Sequence, residues 1–168
     1  MSPFPSEIEE LAAAIIGRYK GGGLMLATAE SCTGGLIAAA LTEVSGSSAV
    51  VDRGFVTYTN EAKMDLLGVS PATLARFGAV SRETALQMAH GALYRSRADV
   101  AVAVTGIAGP TGGSLEKPVG LVHLAAQTKI GLLLHREMRY GDIGRSGVRM
   151  ATLHTALYML VEAAQAAA

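Results

Sequence analysis

The feature that most restricts the fold of this chain is a run of alternating valine and alanine that ends in threonine, residues 100–105. Small and β-branched apolar residues in unbroken sequence are typical of a strand that is buried on both faces, in the centre of a sheet. The run leads directly into a glycine-rich segment, residues 106–113, which predicts a loop at the end of the strand. We therefore expect an α/β protein in which helices cover both faces of a sheet.

Hydrophobic periodicity and helix-end signals predict the other elements. We predict strands at residues 24–28, 49–58, 100–105, 119–127 and 132–140, and helices at 6–20, 36–44, 60–67, from 70 onward, 81–97 and 145–164. Ser6 and Glu9 form a capping-box pattern, and Asn60 and Ser81 are predicted N-caps of later helices. Only a few residues around Gly131 separate the last two strands, which predicts an antiparallel hairpin.

Length and composition limit the organisation of the chain. Its 168 residues, half of them hydrophobic and only 17% charged, suffice for one compact domain with a substantial core, so we expect a single domain over residues 1–168. The predicted elements combine into a three-layer α/β/α fold with a mixed sheet of about five strands. The high apolar content also predicts more apolar surface than a solitary domain carries, so we expect a homo-oligomer, most simply a dimer.

The charge pattern argues against nucleic acid as a direct ligand. Fourteen basic and fourteen acidic residues cancel, tryptophan is absent, and there are only three phenylalanines, so both a basic surface and a stacking surface are missing. The chain has one cysteine, no basic-then-apolar leader pattern, and no apolar run of the roughly 20 residues that span a bilayer. We therefore expect a cytoplasmic protein without membrane contact.

Ser31 is the first candidate for chemistry. It lies in residues 28–35 (TAESCTGG), between a predicted strand and an alanine-rich predicted helix. Free N–H groups and the positive end of a helix dipole would stabilise an oxyanion or a phosphate at that point. The alternative is a serine that only caps the helix. Cys32 is expected to be a small buried residue, because no histidine has an evident place beside it to generate a thiolate.

Lys63 is the candidate base for a nucleophilic serine. It lies about three positions into the helix predicted to begin at Asn60, where the helix dipole disfavours a positive charge. Partial burial beside Tyr58 would lower its pKa further, giving an amine that takes a serine proton and later passes it to leaving ammonia. The alternative is a solvated surface lysine.

Two further hydroxyl groups accompany this pair in the sequence. Tyr58 is a candidate proton shuttle or an orienting hydrogen bond for the lysine, or else a strand residue packed on the core. Ser48, in the turn before that strand, is a second candidate nucleophile or an ordinary turn residue.

The glycine-rich segment 106–113 has the flexibility and the N–H groups to hold a phosphate or a ribose. It is neither a P-loop nor a dinucleotide fingerprint, because the Gly-Lys-Ser/Thr ending is missing and a strand follows. Thr105 adds a hydroxyl, and Arg145 offers a guanidinium for phosphate or belongs to an ordinary helix start. The carboxylates and the four histidines show no metal-ligand spacing, so we expect no metal site.

Taken in order, six motifs resemble those of the CinA C-terminal domain family, the nicotinamide-nucleotide amidohydrolases. The motifs are residues 28–35, the Gly-Ser-Ser of 46–48, Tyr58 with Lys63, residues 78–81 (GAVS), 105–113, and 117–120 (KPVG). The resemblance covers nearly the whole chain after the first helix. It implies deamidation of nicotinamide mononucleotide to nicotinic acid mononucleotide and ammonia, in pyridine nucleotide recycling, without a metal or an organic cofactor.

The resemblance also implies roles for individual residues. It places the catalytic serine and lysine on Ser31 and Lys63, with Tyr58 and Ser48 in the same site, and leaves open which serine attacks. The residues that it implies in substrate binding are Glu30, Cys32, Thr33, Gly34, Thr105, Gly106, Gly109, Gly112 and Arg145.

Two departures from the family pattern affect these expectations. The usual Gly-Asp-Arg before the last helix is here spread over residues 141–145, so the phosphate contact falls on Arg145 or on Arg149. The separate N-terminal domain of long CinA proteins has no room in 168 residues, so we expect its metal-dependent pyrophosphatase activity to be absent. The competing interpretation is a non-catalytic nucleotide-binding or adaptor module associated with competence and recombination.

Overall fold

The computed structural model describes residues 2–167. Its elements, in chain order, are α1 (Ser6–Gly22), β1 (Leu26–Glu30), α2 (Leu36–Thr42), a 3-10 turn (Ser47–Ala49), β2 (Val51–Val56), α3 (Asn60–Leu67), α4 (Pro71–Phe77), α5 (Arg82–Tyr94), β3 (Val100–Gly106), β4 (Leu121–Thr128), β5 (Leu133–Arg139) and α6 (Arg145–Ala167). The strands form one sheet in the order β2-β1-β3-β4-β5. β1, β2 and β3 are parallel, whereas β4 is antiparallel to both β3 and β5.

The predicted fold class is confirmed, including the mixed sheet and the β4–β5 hairpin. Helices cover both faces of this sheet, with α1, α2 and α6 on one side and α3, α4 and α5 on the other. No helix within residues 2–167 combines the length and the apolar character needed to cross a membrane.

Two of the predicted helix caps are wrong. Helix α1 is preceded by Pro5 and has no side-chain cap, so Ser6 and Glu9 form no capping box. Thr59 caps α3 in place of Asn60, because the extended backbone at Thr59 lets its hydroxyl accept the Ala62 N–H at 3.1 Å. The cap predicted at the start of α5, Ser81, is confirmed.

The valine-alanine alternation in β3 separates large from small residues across the sheet. Val100, Val102 and Val104 face the layer of α1, α2 and α6, whereas Ala101 and Ala103 face α5. Successive side chains of a strand point to opposite faces, so this alternation assigns a different residue size to each layer. The small side chains let α5, which is itself rich in buried alanine, pack closely on the sheet.

Gly91 positions the helix that carries Lys63. A Cβ atom at Gly91 of α5 would lie 1.9 Å from the carbonyl oxygen of Leu67, the last residue of α3. No side chain fits in that space, so the glycine permits a backbone contact between α3 and α5. This contact determines where α3, and with it Lys63, lies against the end of the sheet.

The carboxyl ends of the three parallel strands meet at one edge of the sheet. The chain leaves β1 toward α2 on one face and leaves β2 toward α3, α4 and α5 on the other face. Connections that leave neighbouring strands in opposite directions open a crevice, which is the usual ligand site of open α/β sheets.

Candidate active site

A cleft of about 270 Å³ opens at this edge of the sheet. It brings together nine residues that the sequence analysis singled out, from four separate parts of the chain: Ser31, Cys32, Tyr58, Lys63, Thr105, Gly106, Gly109, Gly112 and Arg145. Five further residues complete the lining, namely Ala79, Val80, Ile107, Ala108 and Thr111. Four of them have apolar side chains and the fifth is a threonine, so none was a candidate by its chemistry, although all five lie within motifs that carry the resemblance.

Ser31 and Lys63 meet in the cleft, although 32 positions separate them in the sequence. The Nζ atom of Lys63 lies 3.0 Å from the Oγ atom of Ser31, which is hydrogen-bonding distance. Lys63 is only 1% exposed and Ser31 is 8% exposed. A nucleophile candidate and a base candidate in direct contact, at the bottom of a cleft, are the arrangement needed for covalent catalysis.

Burial determines the charge state of Lys63. Desolvation lowers the pKa of its amine from 10.5 to about 8, because the charged form loses its hydration in the cleft wall. The Nζ atom also lies 2.8 Å from the Thr57 carbonyl oxygen and 3.3 Å from that of Tyr58. A neutral amine has two hydrogens and one lone pair, so these carbonyls can accept both hydrogens and leave the lone pair for the Ser31 hydroxyl.

Ser31 does not lie at a helix N-terminus, which corrects the first expectation about it. It follows β1 in a turn, and α2 begins five residues later at Leu36, after Gly35. The reason is the Glu30 side chain, whose Oε1 and Oε2 accept the N–H groups of Ile37 and Ala38 at 2.9 and 3.0 Å. Glu30 thereby caps α2 from a distance and leaves Ser31 in the intervening turn.

Glu30 is not part of the cleft, contrary to the predicted role in substrate binding. Its side chain is completely buried, and its carboxylate also accepts the Thr28 hydroxyl at 3.3 Å. The negative charge is thus directed at the positive end of α2 and not at the Lys63 amine. The same contact occupies the α2 amides that were expected to stabilise an oxyanion.

The turn after Ser31 supplies other amides. Cys32 and Thr33 follow directly, and no backbone carbonyl within residues 2–167 accepts either of their N–H groups. Arg149 holds this turn from behind, because its guanidinium donates to the carbonyls of Cys32 and Thr33 at 3.1 and 3.0 Å. The predicted substrate-binding residues Thr33 and Gly34 do not line the cleft: Thr33 is fully buried, and Gly34 is exposed outside it.

Arg145, rather than Arg149, lines the cleft. Its guanidinium donates to the Tyr58 hydroxyl at 2.7 Å and to the Gly109 carbonyl at 3.0 Å. Tyr58 is 56% exposed at the rim, so the alternative of a tyrosine packed in the core is wrong. An exposed guanidinium beside a glycine-rich loop is a suitable partner for a phosphate group.

Within a single copy of the chain, Ser48 lies far from this cleft, contrary to its predicted place in the site. It is an exposed residue of the 3-10 turn that precedes β2, whereas Ser31, Tyr58 and Lys63 lie beyond the carboxyl ends of β1 and β2. The six residues of β2 lie between these positions, a span of about 20 Å at ~3.3 Å per residue. The sequence order places Ser48 before Tyr58, but the strand carries the two to opposite edges of the sheet.

Cys32 lines the cleft as a protonated thiol. Burial raises its pKa from 9.0 to about 11, so the thiolate that a cysteine nucleophile requires is disfavoured near neutral pH.

Within residues 2–167 there is no group of three or more histidine, cysteine, aspartate or glutamate residues arranged to hold a metal ion.

Comparisons with known proteins identify the family of this chain. The family model described as CinA C-terminal domain matches residues 8–164. A nicotinamide-nucleotide amidohydrolase PncC from Enterobacter agglomerans is 50% identical over 155 residues, which cover 89% of this chain and 93% of the relative. The protein of the same name from Escherichia coli (strain K12) is 48% identical over 156 residues, which cover 92% and 93% of the two chains.

A solved structure matches the fold closely. The competence/damage inducible protein CihA from Agrobacterium tumefaciens superposes with a TM-score of 0.96 at 72% sequence identity, covering 96% of this chain and 98% of that chain. Both the family model and the relatives extend over nearly the whole length of the chain, so the resemblance found in the motifs is confirmed. This chain belongs to the CinA C-terminal domain family.

Proposed function

We propose that this protein hydrolyses the carboxamide of nicotinamide mononucleotide to nicotinic acid mononucleotide and ammonia, and that Ser31 and Lys63 carry out the reaction. The observation that carries the mechanism is the 3.0 Å contact between Ser31 Oγ and Lys63 Nζ in the cleft. The substrate is supported by two relatives named nicotinamide-nucleotide amidohydrolase, each matched over about nine-tenths of both chains. The activity belongs to pyridine nucleotide recycling.

The first half-reaction forms an ester on Ser31. The hydroxyl oxygen attacks the carboxamide carbon while the neutral Lys63 amine accepts the hydroxyl proton. The negative oxygen of the tetrahedral intermediate lies where the Cys32 amide, next to the nucleophile, can donate to it, and one well-placed donor contributes about 3 to 4 kcal/mol. The Lys63 ammonium then passes its proton to the departing nitrogen, which leaves as ammonia.

The second half-reaction releases the acid. Water attacks the ester carbon, the again neutral Lys63 accepts a proton from that water, and the proton returns to Ser31 as the ester bond breaks. The balance is one amide and one water converted into one carboxylic acid and one ammonia. The positive pyridinium ring withdraws electrons from the carboxamide and so favours both attacks.

Recycling of a charged nucleotide pool also argues for a cytoplasmic enzyme, because such a nucleotide does not cross a bilayer unaided.

The proposal includes the expected homo-oligomer. Exposed apolar side chains support the homo-oligomer. Val56 and Ile143 are 49% and 54% exposed, and in the sequence each lies two positions before a residue of the cleft, Tyr58 and Arg145 respectively.

An ammonia-release assay tests the activity, with nicotinamide mononucleotide, nicotinamide riboside and nicotinamide as parallel substrates. We expect stoichiometric ammonia and nicotinic acid mononucleotide from the nucleotide and much slower turnover of the other two. Turnover of the smaller amides at the same rate would indicate an amidase with another substrate. A folded protein that releases no ammonia from any of them would support the non-catalytic adaptor module instead.

The rate should rise with pH through the pKa of Lys63. Below about pH 8 the amine is protonated and has no lone pair for the Ser31 proton, so kcat/KM should increase about tenfold per pH unit and level off above that value. Initial rates between pH 6 and 9.5 would show this limb. A Cys32→Ser variant should have the same profile, and a flat profile would exclude Lys63 as the base.

Loss of Arg145 should weaken binding of the phosphate more than it slows the chemistry. We expect Arg145→Ala to raise KM for nicotinamide mononucleotide by about 10-fold to 100-fold, because a charged hydrogen bond is lost, with kcat little changed. The KM for nicotinamide riboside, which lacks the phosphate, should hardly change. Arg139→Ala, at an exposed ion pair with Glu137, is the matched control. An equal rise for both substrates would assign the phosphate to another residue.

A further inference from the structure

The segment between α4 and α5 forms one wall of the cleft, through Ala79 and Val80. Three successive carbonyl groups at its start accept hydrogen bonds from side chains. These pairs are Phe77 with Lys117 Nζ, Gly78 with Ser81 Oγ (2.9 Å) and Thr84 Oγ1 (2.7 Å), and Ala79 with Thr105 Oγ1 (2.8 Å). The direction of every peptide group at the start of this wall is therefore set by a side chain.

These carbonyl contacts also orient the amides of the wall. A peptide unit is planar, so a carbonyl with a fixed direction fixes the N–H of the next residue as well. The contact at the Phe77 carbonyl orients the peptide unit between Phe77 and Gly78. The φ of +79° at Gly78 then turns the chain out of α4. The contacts at Gly78 and Ala79 orient the N–H groups of Ala79 and Val80, the two residues that line the cleft.

Lys117 differs from the other donors in its position. Ser81 and Thr84 belong to α5 and its cap, and Thr105 belongs to β3. Lys117 lies in the loop between β3 and β4, residues 107–120, whose first part forms another wall of the same cleft through Gly109, Thr111 and Gly112. Its hydrogen bond therefore joins two walls of the cleft to each other.

The backbone of Lys117 is itself held in that loop. Its N–H donates to Ser114 Oγ at 3.0 Å, and its carbonyl accepts the Ser114 N–H at 2.8 Å. The side chain then crosses to the other wall and passes close to Gly78, where a Cβ atom would lie 3.0 Å from Nζ. A residue larger than glycine at position 78 would crowd the ammonium group.

We infer that Lys117 is a positioning residue, whose ammonium group holds the β3–β4 loop and residues 78–81 at the separation that the nucleotide requires. Lys117 is not among the residues that line the cleft, so it acts through the two walls and makes no contact with substrate. The inference rests on the proposed function for its kinetic consequence and on the geometry alone for its structural one.

The kinetic test compares Lys117→Met with Lys129→Met. Methionine keeps the apolar stem of Lys117 but removes the charge and the donor, so KM for nicotinamide mononucleotide should rise about 10-fold to 100-fold. The value of kcat should stay within about twofold, because other contacts hold Ser31 and Lys63. Lys117→Arg should recover part of the loss. Lys129 is exposed in the β4–β5 turn beside Asp99, so Lys129→Met should leave both KM and kcat unchanged.

Amide hydrogen exchange tests, without any substrate, whether Lys117 holds the two walls of the cleft together. In Lys117→Met, exchange should accelerate together at residues 79–81 and 109–113, and in Lys129→Met at neither segment. Unchanged exchange, acceleration of only one wall, or a loss of kcat at constant KM would each overturn the inference. If Lys117→Met does not fold, Ser114→Ala, which removes the acceptor of the Lys117 N–H, carries the same comparison. A wild-type protein without amidase activity would refute the proposed function. The exchange result would still decide whether Lys117 holds the two walls of the cleft together.

Discussion

Replacing Lys63 by methionine should lower kcat by about three to four orders of magnitude while the protein stays folded. Among the described residues 2–167, Lys63 alone forms a hydrogen bond with Ser31 Oγ, so the variant removes the group that can take its proton. General-base catalysis of this kind contributes about 10²-fold to 10⁴-fold. The leaving nitrogen also loses its proton donor, so both halves of the reaction are affected. The measurement is single-turnover formation of nicotinic acid mononucleotide.

Folding of this variant needs a separate check. Methionine leaves the Thr57 and Tyr58 carbonyls without their Lys63 partner, which costs about 1 to 3 kcal/mol for a buried acceptor. Removal of a buried amine offsets part of that cost, so circular dichroism and thermal melting should show a native fold. Lys20→Met, at an exposed position of α1, is the control. A folded Lys63→Met enzyme with near-normal turnover would refute the proposed Ser31–Lys63 mechanism.

The Ser31→Ala variant should lose turnover to a similar extent, whereas Ser48→Ala should keep nearly all of it. Alanine at position 31 removes the atom that forms the ester, so no acyl-enzyme can form. Ser48 lies at the opposite end of β2, on an exposed turn. Mass spectrometry of the quenched reaction would detect the ester of Ser31 with nicotinic acid mononucleotide in the wild type, and the same adduct in Ser48→Ala, but none in Ser31→Ala.

The double variant sharpens this comparison. Residues that act as one unit have strongly non-additive effects, so Ser31→Ala with Lys63→Met should be about as slow as either single variant. Multiplicative losses would mean that the two groups act independently. A loss of activity in Ser48→Ala, with a normal rate in Ser31→Ala, would move the nucleophile to Ser48 and require a site completed by another copy of the chain.

The local sequence predicted the elements better than it predicted their ends. Strands and helices were assigned correctly in kind, because burial imposes a clear period of two or of 3.6 on apolar residues. The local sequence does not determine the caps, since Thr59 and Asn60 can both accept a helix amide and the path of the incoming chain selects one of them.

Glu30 shows why the site itself was predicted only in part. The family resemblance implies contact with substrate, but the Glu30 carboxylate turns away and binds the Ile37 and Ala38 amides. Ala79 and Val80 show the opposite case, since they line the cleft without any chemical signal in their side chains. A side chain's direction depends on which neighbours are already satisfied, and those neighbours come from other elements.

The sequence by itself determined the layered α/β architecture, the family, and the pairing of one serine with one lysine as candidates, because periodicity and motif order are written along the chain. Only the tertiary structure decided that Ser31 and not Ser48 meets Lys63, that Arg145 and not Arg149 lines the cleft, and that burial lowers the pKa of the lysine to about 8. The physical reason is that hydrogen bonding and desolvation depend on distances of a few ångströms between residues far apart in sequence, and strand order and helix packing set those distances.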